Sequence, residues 1–188
     1  MKNAVEIAID ILGELRRSLE SIDPARAESF ADEILAADRV FVCGAGRSLL
    51  MVRGLAMRLM QIGFDAYVVG ETITPAIGPG DLLIVGSGSG ETGALKLMAE
   101  KAKKFGARLA LITINPDSTI GRLADCVVRI AAATTKGAGV GISSFQPGAN
   151  MFEQSLLLFC DAAVIRIIEK KDIRNTNAEL MRRHANLE

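Results

Sequence analysis

The sequence predicts an α/β protein: a three-layer αβα sandwich around a five-stranded, parallel, doubly wound sheet, with extra helices at both ends. Two observations carry that expectation. Short aliphatic runs such as RVFVC at 39–43, DLLIVG at 81–86 and RLALITI at 108–114 alternate with segments of helical periodicity. Runs without polar alternation belong to strands covered on both faces, which is the condition of a parallel sheet. Glycine-rich turns also follow the first and third runs, where a strand's carboxyl end hands over to a helix.

The elements follow in order. Val5, Ile9, Leu12, Leu15 and Leu19 form a helical stripe, so the chain opens with a helix of about five turns. Asp23-Pro24 reads as an N-cap and first-turn proline, starting a second helix to about Ala37. A strand at Arg39–Cys43 leads to a helix over Ser48–Ile62, stopped by Gly63. Ala66–Val69 and Leu82–Val85 are the second and third strands, and Glu91–Phe105 is a helix ended by Gly106. Arg108–Ile114 is the fourth strand; Asn115–Ser118 turns into a short helix, and Cys126–Ile130 is the fifth strand. A polar, glycine-rich loop at 131–150 precedes a long apolar helix to about Lys170, and a charged helix covers Asp172–His184. One domain accommodates all 188 residues: helices to about 37, an α/β core at about 38–170, and a helix and tail at 171–188.

Lys plus Arg and Asp plus Glu both number 22, and no basic block stands out, so neither nucleic acid nor a membrane surface is an expected partner. One Tyr and no Trp leave little to stack on bases or sugar rings, and the 49% apolar fraction suggests an aliphatic core and a buried subunit interface. Cys43, Cys126 and Cys160 lie in or beside apolar runs without metal-ligand spacing, and read as buried reduced thiols. The amino-terminal segment lacks a signal peptide's apolar core, and Ser155–Ile168 is too short and too charged to span a bilayer. A cytoplasmic protein is expected.

The most informative segment is Ser87-Gly88-Ser89-Gly90-Glu91-Thr92, between a strand and a helix. Free backbone amides and the positive dipole end favour an anion there, phosphate above all. The glycines allow close approach and three hydroxyls add donors; the same residues also suit an ordinary capped turn. Gly44-Ala45-Gly46-Arg47-Ser48 makes the corresponding turn after the first strand. Leu49 stands where a dinucleotide fingerprint needs its third glycine, so nicotinamide binding is excluded, and without GxxxxGK[ST] a nucleoside triphosphatase is unsupported. Arg47 and Ser48 add a cation and a hydroxyl, although Arg47 also reads as a solvated helix-start residue. Glu153 shares a helical face with Leu156, Leu157, Cys160 and Val164. A carboxylate partly withdrawn from water there suits general-base work, and equally a first-turn glutamate complements the helix dipole. His184 is the single histidine, in a terminal segment where such residues are often incidental, and no metal site is expected.

GAGRS at 44–48, SGSGET at 87–92 and FEQS at 152–155 resemble the sugar isomerase (SIS) family. RLMQIGFDAYVVGETITP at 58–75 and RRHANLE at 182–188 extend the resemblance over nearly the whole chain, toward the branch acting on 3-hexulose phosphates. The resemblance implies a flavodoxin-like strand order. It implies interconversion of D-arabino-hex-3-ulose 6-phosphate and D-fructose 6-phosphate through a cis-enediolate, without a cofactor, in the ribulose monophosphate pathway. It implies a homotetramer built as a dimer of dimers. Carried over by position, Ser48, Ser87, Ser89 and Thr92 hold the phosphate, helped by the Gly88, Gly90 and Glu91 amides; Gly46 and Arg47 lie beside it. The resemblance implies that Glu153 moves the proton between C2 and C3. Related SIS isomerases use a histidine from a neighbouring subunit to assist ring opening, and His184 is the one residue here for that role, whether in its own or a neighbouring subunit. Gly148-Ala149-Asn150 departs from the methionine-glycine-serine-like stretch expected there. Two alternatives stay open, a non-catalytic sugar-phosphate sensor and an isomerase for another sugar phosphate. A DNA-binding segment, a zinc cluster or added regulatory domains would mark those, and none is evident in the sequence.

Overall fold

The computed structural model describes residues 1–133, 142–174 and 176–187. The glycine-rich loop expected at 131–150 therefore lies partly outside the described residues, as does Glu188. Five strands form one parallel sheet in the order β2-β1-β3-β4-β5: β1 Val40–Gly44, β2 Ala66–Val68, β3 Leu82–Gly86, β4 Arg108–Thr113 and β5 Cys126–Arg129. The helices are α1 Ala4–Glu20, α2 Pro24–Ala36, α3 Gly46–Gln61, α4 Gly93–Lys104, α5 Thr119–Leu123, α6 Asn150–Lys170 and α7 Thr176–Arg182. The expected class, order and alternation are all present.

Alternate residues of each strand point to opposite faces, and this sorts the core into two layers. Val40, Val42, Leu82, Ile84, Ala110 and Ile112 face α2, α3 and α6. Phe41, Cys43, Leu83, Val85, Leu109 and Leu111 face α4 and α5. Each cluster is fully desolvated, which accounts for strand sequences that are apolar at every position rather than every second one. At the opposite edge from the glycine turns, Arg39 holds the buried Asp81 with a fork of bonds, Nε–Oδ1 at 2.9 Å and the second at 2.7 Å. That pair joins the feet of β1 and β3.

Local chemistry sets the helix starts. Asp23 caps α2 by accepting from Ala25 N, with proline in the first turn as expected. Asn3 and Glu6 make a reciprocal capping box at α1. Three helix bounds need correction. The last helix covers Thr176–Arg182 rather than Asp172–His184, with residues 172–174 and 183–184 outside it. Helix α4 begins at Gly93 rather than Glu91, because the Glu91 side chain bonds Thr119 instead of joining a helical turn. Helix α3 begins at Gly46 rather than Ser48. The stripe on α1 is helical but not a core face throughout: Leu15 is buried, whereas Val5, Ile9 and Leu12 are exposed. Helix α1 packs on α6 near its carboxyl end, where Ser155 Oγ donates to Ser18 Oγ and Leu19 rests against the core.

Candidate active site

Strand β3 ends at Gly86, and the first two residues of the turn that follows, Ser87 and Gly88, are pinned to the end of β4. Ser87 N donates to Ile112 O, Ile114 N donates to Gly88 O, and Thr113 Oγ1 donates to Gly88 O, each at 3.0 Å. Within the turn, Gly90 N donates to Ser87 Oγ and Glu91 N to Ser89 Oγ, both at 3.2 Å. Each hydroxyl acts as acceptor in these bonds and keeps its proton to donate elsewhere. Beside it, a β-carbon at Gly44 would be tightly crowded, 3.0 Å from Leu49 backbone atoms and 3.1 Å from Gly86 O. The two glycine turns are therefore in direct backbone contact.

A cleft of about 200 Å³ opens between them, with Ser48, Ser87, Gly88, Ser89 and Thr92 in its wall. Ala149 and Phe152, at the start of α6, close another side. Three helices thus begin at this cleft, and among the described residues none has a side-chain cap. Ala45 before α3 and Ala149 before α6 carry no polar group, and Thr92 before α4 makes no cap bond. Away from the cleft the pattern reverses: Asn3, Asp23 and Ser118 all cap α1, α2 and α5. No hydrogen bond among the described residues engages the Gly88 or Ser89 amides either. Convergent unsatisfied N–H groups and dipole ends define a site for an anion.

Glu153 lies one turn into α6, beside this cleft. Its side chain is 12% exposed, and Oε2 stands 3.1 Å from Arg47 Nε. The contact is ionic without hydrogen-bond geometry, so this buried oxygen makes no hydrogen bond among the described residues. Arg47 also donates to Asn150 Oδ1, bringing the first turns of α3 and α6 together through one guanidinium. The arrangement is a carboxylate with an available lone pair beside a cationic group and an anion pocket.

Of the residues singled out in the sequence, Gly46, Arg47, Gly90, Glu91, Glu153 and His184 are not in the cleft wall. Gly46 and Arg47 open α3, and Gly90 is buried against Ser118. The Glu91 carboxylate bonds Thr119 N and Oγ1, with Lys96 nearby; the Thr119 bonds come first among the causes that lower its pKa. His184 is exposed beside Arg183, whose guanidinium lies against Gly63. Gly63 sits past the far end of α3, roughly 24 Å from its start at 1.5 Å per residue. Within one subunit, His184 and the cleft occupy opposite ends of α3.

Sequence reasoning gave no site role to Leu95, Ile114 and Ala133 in the cleft wall, and named Ala149, Asn150 and Phe152 only within motifs, without a role. Asn150 precedes Glu153 by three residues and so shares its helix face, a spacing that could have paired them. The three thiols are buried and unbonded, and burial pushes Cys43 up to about 12 and Cys126 to about 11. Among the described residues no cluster of His, Cys, Asp or Glu could hold a metal ion, and no helix is long and apolar enough to cross a membrane.

The SIS domain family profile matches residues 33–158, which hold the sheet, both glycine turns and Glu153, and the chain belongs to this family. Over 97% of its length it is 43% identical to a 3-hexulose-6-phosphate isomerase of Bacillus subtilis (strain 168), covering 98% of that protein. Identity is 45% to the protein of the same name from Mycobacterium gastri, over 93% of this chain and 86% of that one. A crystal structure of a hypothetical protein from Methanococcus jannaschii, from which a 3-hexulose-6-phosphate isomerase function was inferred, superposes with a TM-score of 0.81 at 30% identity; the match covers 98% of both chains.

Proposed function

We propose that the chain is an isomerase interconverting D-arabino-hex-3-ulose 6-phosphate and D-fructose 6-phosphate through a cis-enediolate, as a step of the ribulose monophosphate pathway in the cytoplasm. The observation that carries this reading is the convergence of three uncapped helix starts on a cleft whose wall includes Ala149 and Phe152, the latter next in sequence to Glu153. The named relatives support the choice of substrate. The phosphate sits at the start of α4, accepting hydrogen bonds from the Ser48, Ser87, Ser89 and Thr92 hydroxyls and from the Gly88 amide. Gly90 and Glu91 act through their amides, which hold the two serine hydroxyls in place. Anchoring the phosphate fixes the reacting carbons at little further entropic cost.

Starting from the 3-ulose, Glu153 takes the proton from C2, and the electron pair forms the C2–C3 enediolate. A proton moves from O2 to O3, and Glu153 returns its proton to C3 to give the 2-ulose. No electrons leave the substrate, so no redox cofactor is required. Arg47, 3.1 Å from the carboxylate, lies where it can also meet developing negative charge on the sugar oxygens. His184 of a neighbouring subunit assists ring opening, and the assembly is a homo-oligomer, a tetramer built as a dimer of dimers. The exposed apolar stretch of Val5, Ile9 and Leu12 and the remoteness of His184 from its own cleft both support this.

Glu153→Gln tests the reading. It keeps shape and removes basicity, so isomerisation should fall by about 10²–10⁴-fold while fructose 6-phosphate binding persists. A variant with more than about a tenth of parental activity would remove Glu153 as the base.

A further inference from the structure

Glu14 is a buried carboxylate that the chemistry above does not use, on a helix outside the SIS match. It is 5% exposed and accepts three hydrogen bonds from residues about 130 positions away. Ser144 Oγ donates to Oε2 at 2.7 Å, Gln146 Nε2 to Oε2 at 2.9 Å, and Phe145 N to Oε1 at 3.0 Å. Three residues beyond Gln146 comes Ala149, in the cleft wall, followed by Asn150 and Glu153. Helix α1 also fixes the chain leaving β5. Ser18 Oγ donates to Ala131 O at 2.7 Å and Ala131 N donates to Ser21 Oγ at 3.1 Å, two residues before Ala133 in the same wall. Ser155 Oγ donates to Ser18 Oγ at 3.0 Å, tying α6 itself to α1.

We propose that Glu14 is a positioning residue for catalysis: by gripping Ser144, Phe145 and Gln146 it sets where α6 begins, and hence where Glu153 meets the substrate. The inference rests on Glu153 being the base. A carboxylate suits the task because it is acceptor-only and can take all three donors at once. The grip acts through hydrogen-bond geometry, so a side chain able to restore the bonds restores function. Gln146 Oε1 makes no hydrogen bond among the described residues, so a rotated Gln146 amide can accept from the new amide in Glu14→Gln. Phe145 N still finds an oxygen there, and Ser144 Oγ, which both donates and accepts, adapts.

The test compares Glu14→Ala, Glu14→Gln and Ser144→Ala by steady-state kinetics on fructose 6-phosphate. Chymotryptic cleavage after the exposed Phe145 is followed in parallel, well below each thermal midpoint. Glu14→Ala should lower kcat about tenfold or more, because small displacements of a reacting group cost that much, while KM moves far less since the phosphate turn is intact. It should also speed cleavage at Phe145. Glu14→Gln should stay within about threefold of the parent in both readouts, and Ser144→Ala should fall between the two. Folded Glu14→Ala with parental kcat would overturn the proposal, as would Glu14→Gln failing as badly as Glu14→Ala. Should Glu14→Ala not fold, Ser144→Ala decides, and parental kcat and cleavage there overturn it. Cleavage at Phe145 does not depend on the identity of the base, so an active Glu153→Gln and an unaffected Phe145 are separate failures.

Discussion

Gly90 has φ 63°, in the left-handed region, and a β-carbon there would strike the Ser118 hydroxyl. Ser118 has no freedom to withdraw, because its Oγ accepts from Gly121 N at 3.1 Å and caps α5. Gly90→Ala therefore costs about 1–3 kcal/mol for the backbone alone. At about 2–4 °C per kcal/mol for a chain of this size, calorimetry should show the midpoint falling by several degrees. A midpoint unchanged within about one degree would show that the turn tolerates a side chain. The hexapeptide's glycines and hydroxyls were legible as an anion cradle because their chemistry is local. The direction of Glu91 was not, since its partner Thr119 is 28 residues away, across the end of β4.

Among the elements, what the helix starts lack is as informative as what they carry. Alanine cannot cap, so Ala45 and Ala149 leave α3 and α6 open, but the start of α3 was read at Ser48 and the cap position at Ala45 emerged only from the fold. That Thr92 leaves α4 open was not readable, because threonine is a competent cap and only its geometry decides. The alternation of strand and helix was fully legible, since period and apolar runs are properties of neighbours in sequence. The apolar stripe of α1 specified a helix but not what covers it, which depends on surfaces remote in the chain. Glu14 within that helix yields a pH prediction. Burial raises its pKa, but bonds from Ser144, Gln146 and Phe145, with Arg17 nearby, outweigh this and hold it below 4.5. A carboxyl lowered by folding binds protons more weakly in the native state, so its stabilisation is complete above about pH 4.5 and is lost as pH falls through the folded value. Melting curves should show the parent exceeding Glu14→Gln by a constant margin near neutrality, and that margin should close below about pH 4.5. A margin that persists unchanged through strong acid would mean that Glu14 is not lowered.

For the whole molecule, the decisive observation is that one subunit's histidine and its cleft lie at opposite ends of α3. Arg183 rests against Gly63 at one end of α3, and Ser48 lines the cleft at the other. The sole histidine was visible in the sequence, but its distance from Glu153 was not, because that distance is set by how α7 folds back along α3. If His184 serves a neighbouring cleft, each site is built from two chains, and defects in different chains can complement. His184→Ala and Glu153→Gln proteins should each be strongly impaired alone. Mixed in equal amounts and allowed to exchange subunits, they should form some sites with an intact Glu153 from one chain and an intact His184 from the other. In a random pair with two reciprocal sites, a mixed dimer carries one complete site and one doubly defective site. Half of all dimers are mixed, so about a quarter of sites regain both groups, and activity should approach a quarter of the parent's. Exchange verified by mass spectrometry without any recovery would refute the shared site and leave His184 a surface residue.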